Sequence, residues 1–231
     1  MLSKNRALKE FIERHIKEGF LQRDEIIAAT IVEFRGEFGG ADFYQAVAAT
    51  VDKYLARYLI MESGWVTATD CDKLDKAFSE LEKRGILARQ HFACCNDCGH
   101  QEMQSEVRRV IGRSRARKRD RVMKVVNQAM KDANQAMKDA NQAMKDANQA
   151  ITDLKGFAFF HQQDTQRAIK QGTLFLTFDS IERNVDKAVE VGATVVDVLK
   201  DVGFVVTWNG SYLQRIAVTK VSWRKRRFSS P

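Results

Sequence analysis

A seven-residue unit, NQAMKDA, occurs three times in succession from Asn127 to Ala147 and is followed by a partial fourth copy. Met and Ala recur through it at alternating spacings of three and four residues, which is the period of a coiled-coil seam. The repeat therefore predicts a long protruding helix. Met and Ala bury little surface and specify partners poorly, so we expect at most weak self-association through this helix. Its identical copies favour an insert lengthened by duplication over a dedicated oligomerisation arm.

The apolar pattern on either side of the repeat predicts an α+β protein. Helical spacing dominates up to residue 63, and further on the apolar runs predict strands between helices. The predicted strands are ILARQHF, FAFFH, TLFLTF, FVVTW and a closing strand near Leu213 to Val218. We expect one mixed or antiparallel sheet of about four or five strands, with helices packed beside it. The predicted division is a helical N-terminal segment at 1–63, an α+β core at 64–106 and 156–227, and an inserted basic and heptad-repeat helix at 107–155.

Two short basic runs carry all of the excess positive charge, and residues 1 to 107, with 14 basic and 18 acidic side chains, reduce the net charge to +8. Residues 108 to 124 hold nine basic side chains and one acidic side chain, and the terminal WRKRR sequence adds four basic ones. A basic helix can contact nucleic acid without reading its sequence, and the affinity then falls steeply with salt. For Arg108 to Lys124 we favour the alternative of a solvated helix face, so a nucleic-acid contact is the lesser expectation.

The apolar segments and the cysteines indicate a cytoplasmic protein without a membrane contact. No window approaches the roughly 20 apolar residues that span a bilayer. The first residues are charged from Lys4 onward and lack the apolar stretch of a signal peptide. Three of the four cysteines lie within five residues, too close together to join distant parts of a secreted fold.

The densest group of reactive side chains follows the first predicted strand, in the sequence ACCNDCGH. The Cys95-x-x-Cys98 pair presents two thiolates at a spacing that tetrahedral Zn²⁺ accepts, and a closed site needs two more ligands. Candidates for those ligands are Cys94, His100, His161 and Cys71. The predicted metal site therefore comprises Cys94, Cys95, Cys98, His100 and His161, with zinc as the ion. Two alternatives stay open, namely inert structural thiols and a redox-active or nucleophilic cysteine.

Two further polar motifs stand at predicted helix starts. In HQQDT, His161 and Asp164 can orient a ligand or act as general acid and base, whereas the structural alternative makes Asp164 or Thr165 an ordinary N-cap. In TDCD, Asp70 and Asp72 lie at a helix start, where capping by Thr69 or Asp70 is the better account.

Several stretches together resemble a known family. They are EGFLQRDEI, WVTATDCDKLDKAF, RGILARQHFACCNDCGHQE, FAFFHQQDTQRAI, GFVVTWNGS and WRKRR. In this order they resemble an uncharacterised bacterial family, common in actinobacteria, that is described as a domain of unknown function. The resemblance covers about residues 8 to 106 and 156 to 227. It implies no activity and no catalytic residues, but it does imply that residues 107 to 155 are an insert.

Three classes of function are compatible with these features. We favour a binding or regulatory module with a structural zinc at the cysteine turn and an unknown protein or small-molecule partner. The second is a thiol- or metal-dependent enzyme that uses the cysteine turn with His161 and Asp164. The third is the non-specific nucleic-acid contact. No Gly-rich phosphate loop, nucleophile elbow or HExxH zinc helix occurs in the sequence.

Overall fold

The computed structural model describes residues 2–36, 41–129 and 154–227. Most of the predicted heptad-repeat helix lies outside these residues, so it stays a prediction. The chain divides into two compact units. The helical unit comprises Met1–Lys76, Asp164–Leu174 and Thr219–Pro231, and the sheet unit comprises Ala77–Gln163 and Phe175–Val218.

The described residues form seven helices and five strands, which confirms the predicted α+β class. In chain order these are α1 (Leu2–Glu18), α2 (Arg23–Phe34), α3 (Ala41–Ser63), α4 (Asp70–Lys83), β1 (Ile86–Arg89), α5 (Asn96–Ala129), β2 (Gly156–Phe159), α6 (Gln162–Gln171), β3 (Leu174–Ser180), α7 (Val185–Asp201), β4 (Val205–Thr207) and β5 (Ile216–Thr219). None of the described helices is long and apolar enough to cross a membrane.

The core of the helical unit forms between α1, α2 and α3. Leu8, Ile12 and Ile16 follow one another at intervals of four residues, so they share one face of α1. That face packs against apolar residues of the other two helices. The buried cluster consists of Leu8, Ile12, Ile16, Ile26, Ile27, Phe34, Val47, Val51, Leu55 and Tyr58.

The terminal basic run is folded into the helical unit. Arg227 is only 8 % exposed. Its guanidinium donates hydrogen bonds to the carbonyl oxygens of Ile16 (3.3 Å) and Leu21, and its backbone N–H donates to Glu62 (3.0 Å). The guanidinium therefore satisfies backbone carbonyls at the end of α1 and in the loop that follows it.

The two preceding basic residues pair with carboxylates of α4. Lys225 Nζ lies 2.7 Å from Asp75 Oδ1, and Arg226 Nε lies 3.2 Å from Asp72 Oδ2. The segment passes so close to Gly19 that a Cβ at that position would lie 2.5 Å from Lys225 Cγ. Gly19 also has a φ of 83°, which glycine adopts at little cost. The terminal run is thus a structural segment, in which Lys225 and Arg226 pair with carboxylates of α4.

The sheet is mixed, in the order β1-β2-β3-β5-β4. β1 and β2 are parallel, with Ile86 opposite Gly156, whereas β2 and β3 are antiparallel, with Gly156 opposite Ser180. A parallel pair needs a long crossover connection, and α5 lies in the connection between β1 and β2. β4 and β5 are neighbours, as expected for the strands that flank the Asn-Gly turn.

The first part of α5 packs on this sheet. Met103 and Val107 are buried in one cluster with Leu87, Phe157 and Phe159. The helix runs without a break from Asn96 to Ala129. It therefore passes through the predicted boundary at residue 107, and the inserted segment at 107–155 remains a prediction.

Candidate functional site

The cysteine turn begins where the parallel strands β1 and β2 end. Beyond the strands, Phe92 N–H donates to Phe160 O (2.8 Å) and Gln162 N–H donates to Ala93 O (3.1 Å). These bonds hold the two chain segments side by side up to the residue before Cys94. The turn is therefore anchored at the carboxyl ends of a parallel strand pair, an edge at which α/β proteins commonly bind ligands.

Backbone conformation and one glycine then direct the chain into α5. His91 and Ala93 have φ values of 51° and 61°, in the left-handed region that residues with a Cβ seldom adopt. In the first turn of α5, a Cβ at Gly99 would lie 2.4 Å from Phe159 Cε2. Only glycine lets the helix start approach β2 this closely, which explains the glycine that follows Cys98.

Three sulfur atoms meet at this helix start. The Sγ atoms of Cys94, Cys95 and Cys98 all lie within 4.8 Å of one another. Cys94 is exposed, and the other two are partly exposed. Two sulfurs bound to one tetrahedral zinc ion lie about 3.8 Å apart, as follows from Zn–S bonds of about 2.3 Å. Small side-chain rotations therefore suffice to bring the three thiolates onto one metal ion.

The sulfurs differ in their electrostatic environment. Cys95 is the N-cap of α5, since its carbonyl oxygen accepts the N–H of Gly99 (2.9 Å). The backbone N–H of Cys98 and the thiols of Cys98 and Cys94 donate to Cys95 Sγ, which lowers the pKa of Cys95. The pKa of Cys98 is raised, because its thiol is hydrogen-bonded to Cys94 and Cys95 and lies beside their charge. Negative charge is thus better stabilised on Cys95 than on Cys98.

A hydrogen-bond chain fixes the middle of the turn. The hydroxyl of Thr177 donates to Asn96 Oδ1 (2.7 Å) and accepts from Arg215 Nε (2.8 Å). Arg215 also donates to the carbonyl oxygen of Phe175 (3.0 Å). Asn96 stands between Cys95 and Cys98 in the sequence, so β3 and the segment before β5 hold the turn in position.

A cavity of about 200 Å³ adjoins the hydrogen bonds between Asn96, Thr177 and Arg215. Its walls carry hydrogen-bonding side chains together with apolar surface from the β4–β5 connection. The lining includes Asn96, His100, Thr177, Tyr212, Leu213 and Arg215. The cysteine turn therefore has a small, partly polar cavity beside it.

The two predicted histidine ligands lie outside the sulfur cluster. The His100 ring stands edge-on to Phe159, with centroids 5.6 Å apart. His161 is 4 % exposed and immediately precedes α6. Among the described residues, the group of ligand atoms within 4.8 Å of one another contains the three cysteines and neither histidine. Cys71 is buried elsewhere, in the helical unit.

The HQQDT prediction needs one correction. α6 begins at Gln162, so Asp164 and Thr165 lie inside its first turn and neither is the N-cap. Both side chains are buried. His161 and Asp164 belong to different units, and an acid–base pair between them stays a prediction.

The capping account of TDCD is confirmed, with Thr69 as the N-cap of α4. Asp72 N–H donates to Thr69 Oγ1 (3.2 Å), and Thr69 N–H donates to Asp72 Oδ2 (2.8 Å). The sequence reasoning missed the pairing of this motif with the terminal basic run. The only available signal was their opposite charge, which does not reveal proximity between residues more than 140 positions apart.

The fold and the site define an α+β protein with a cluster of three free thiols at the start of a helix. The chain belongs to the family described as Domain of unknown function (DUF6891), which matches residues 3–121 and 119–227. No curated protein and no solved structure matches the chain.

Proposed function

We propose that this chain is a cytoplasmic bacterial binding or regulatory module that holds one zinc ion through Cys94, Cys95 and Cys98. The single observation that carries the proposal is that the three sulfur atoms lie within 4.8 Å of one another. Zinc prefers thiolate ligands in a tetrahedral arrangement, and three cysteines supply three of the four positions.

The surroundings of the turn support this donor set. Negative charge on the sulfurs is favoured at a helix N-terminus. The hydrogen bonds that Cys94 and Cys98 now donate to Cys95 are lost when the thiols deprotonate, and binding of a dication replaces them. The Asn96–Thr177 hydrogen bond restricts the turn before the metal binds, which reduces the entropy lost on binding.

The identity of the fourth ligand distinguishes a structural role of the zinc site from a regulatory one. His100 and His161 are the candidates within the chain. An open fourth position would accept a small molecule or a side chain of a partner, which is the arrangement expected of a binding module. A closed site would serve stability alone.

Elemental analysis of protein produced without an affinity tag and without chelator tests the metal. We expect about one zinc per chain, and the variant Cys98→Ser should lose most of it. Cys71→Ser is the matched control, because Cys71 lies outside the cluster. Less than a tenth of an equivalent in the unmodified protein would contradict the proposal.

Competition with a chromophoric chelator tests the fourth ligand. If His100 or His161 binds the ion, His100→Ala or His161→Gln should weaken zinc affinity by about 10-fold or more. Unchanged affinity in both variants would assign the fourth position to water or to a partner. Circular dichroism of each variant establishes that it is folded.

A second candidate function is the non-specific nucleic-acid contact through Arg108 to Lys124. The observation that favours it is the exposure of Arg108, Arg113 and Arg119 on α5. Duplex and single-stranded oligonucleotides should then bind at low salt and dissociate at physiological salt. No binding at low salt, or unchanged binding after Arg113→Gln with Arg119→Gln, would exclude it.

A further inference from the structure

We propose that the metal-free cysteine turn catalyses thiol–disulfide exchange with small peptide disulfides of the glutathione type, with Cys95 as the attacking sulfur and Cys98 as the resolving sulfur. This activity goes beyond the proposed metal binding and does not depend on it. It follows from the placement of the two thiols, from their access to solvent, and from the adjoining cavity.

The placement permits a disulfide between Cys95 and Cys98. A disulfide requires Cα atoms about 4.4–6.8 Å apart. Residues three apart around one helical turn meet this requirement, and their side chains lie on the same face. With the sulfurs already within 4.8 Å, the bond can close by side-chain rotation and leaves α5 intact.

Cys94 cannot take the resolving role. Adjacent Cα atoms across a trans peptide are about 3.8 Å apart, which is shorter than an ordinary disulfide allows. Cys94 is also the exposed member of the cluster, so its loss should leave the Cys95–Cys98 pair functional.

The helix start favours Cys95 as the attacking and departing sulfur. Cys95 is the N-cap of α5, so the positive end of the helix dipole lies beside its sulfur. This position stabilises negative charge on the sulfur both when it attacks a substrate and when it is displaced in the reverse reaction.

The exchange balances in two steps. In the first, the Cys95 thiolate attacks one sulfur of R–S–S–R′, the Cys95–S–S–R bond forms, and R′S⁻ leaves and is protonated by solvent. In the second, Cys98 gives its proton to solvent and attacks Cys95 Sγ, the Cys95–Cys98 disulfide forms, and RS⁻ leaves. The substrate is thereby reduced to two thiols, and the protein dithiol is oxidised by two electrons. Excess small thiol reverses both steps.

The cavity beside the turn gives the substrate class. Asn96 belongs to the turn and also lines the cavity, together with Thr177 and Arg215. Amide, hydroxyl and guanidinium groups match the peptide bonds and carboxylates of a short peptide. One half of a peptide disulfide can therefore bind in the cavity, whose lining includes Asn96, the residue that follows Cys95.

Equilibration of the chelator-treated full chain in glutathione redox buffers tests the dithiol. We expect one intramolecular disulfide, which peptide mapping assigns to Cys95 and Cys98. The Cys98→Ser and Cys98→Ala variants should accumulate a mixed disulfide with glutathione on Cys95, and Cys94→Ser should still form the internal disulfide. A turn that stays reduced in excess glutathione disulfide, or an internal disulfide that contains Cys94, would overturn the proposal.

The substrate class is tested with two disulfides. Arg215→Gln should slow oxidation by glutathione disulfide several-fold more than it slows oxidation by hydroxyethyl disulfide, because the latter has no peptide groups. Equal effects on both disulfides would overturn the peptide assignment. Failure of zinc binding would not alter these results, since they are measured on metal-free protein, and failure of exchange would leave the zinc analysis standing.

Discussion

Cys71 and Cys95 both lie at the N-terminal end of a helix, yet their environments are opposite. Cys71 is the second residue of α4 and is 1 % exposed, and burial raises its pKa to about 12. Cys95 is the N-cap of α5 and is partly exposed, and the N–H of Cys98 lowers its pKa. A helix start by itself therefore does not activate a thiol.

The two helix starts also differ in their caps and in the segments that contact them. At α4, Thr69 Oγ1 accepts the backbone N–H of Asp72, so the free donor at the helix start is already satisfied. At α5 the corresponding acceptor is the Cys95 sulfur itself. In addition, the terminal segment adds contacts at the start of α4, where Ser222 N–H donates to Asp70 (2.9 Å). Burial nevertheless decides the contrast. The backbone N–H of Arg224 also lowers the pKa of Cys71, but desolvation of the buried thiol outweighs it, whereas Cys95 is partly exposed.

The largest expected effect of this contrast is on alkylation. Under native conditions iodoacetamide should modify Cys95 at least about 100-fold faster than Cys71, because Cys71 becomes accessible only when the structure opens. Time-resolved peptide mass spectrometry measures both rates. Similar rates for the two thiols would show that the comparison is wrong, and unfolding in urea, where the rates should converge, is the control.

The next largest effect concerns the terminal basic run, which contains Arg227. Arg227→Met should lower the free energy of unfolding by about 2–4 kcal/mol, because the carbonyl groups of Ile16 and Leu21 lose a buried donor. The same variant should increase alkylation of Cys71. Urea unfolding measures the loss of stability. Arg224→Met is the matched control, since this exposed side chain should change stability by less than about 0.5 kcal/mol.

The third prediction concerns Gly99, which follows Cys98 at the start of α5. Gly99→Ala should lower the free energy of unfolding by about 1–3 kcal/mol, because its Cβ would overlap the Phe159 ring. Gly112→Ala on the same helix has nothing within 4 Å of the new Cβ and should raise stability by about 0.5–1 kcal/mol. Thermal unfolding compares the two. Equal changes in the unfolding temperature of the two variants would mean that the close approach of α5 to β2 does not contribute to stability.

The smallest effect is a dependence of stability on acid. Burial raises the pKa of Asp72, but hydrogen bonds from Thr69 and Arg226 outweigh it, and the net pKa lies below the ordinary value of 3.8. A carboxyl with a lowered folded-state pKa contributes stability above its unfolded pKa and loses it as the pH falls through the folded value. In Asp72→Asn, the free energy of unfolding should therefore fall less steeply below about pH 4 than in the unmodified protein. If it falls equally steeply in both, the acid sensitivity comes from other carboxyl groups.

The sequence predicted most elements but not their terminal residues. The predicted strand ILARQHF contains β1, which ends at Arg89 because the left-handed residues His91 and Ala93 follow. The sequence offered Thr69 or Asp70 as the cap of α4, and the structure shows that it is Thr69. The start of α6 was misplaced by two residues, because Asp164 and Thr165 resemble caps in sequence whereas in the structure both are buried inside the first turn.

The sequence by itself determined the features that depend on neighbours along the chain. These are the α+β class, a capped helix start at Thr69 or Asp70 and the close spacing of Cys94, Cys95 and Cys98, because helical and turn geometry fix distances over three or four residues. Only the tertiary structure decided that Arg227 is buried beneath backbone carbonyls and that His100 and His161 lie outside the sulfur cluster. Such contacts join residues far apart in the chain, and their partners are chosen by packing and burial, which no local pattern encodes.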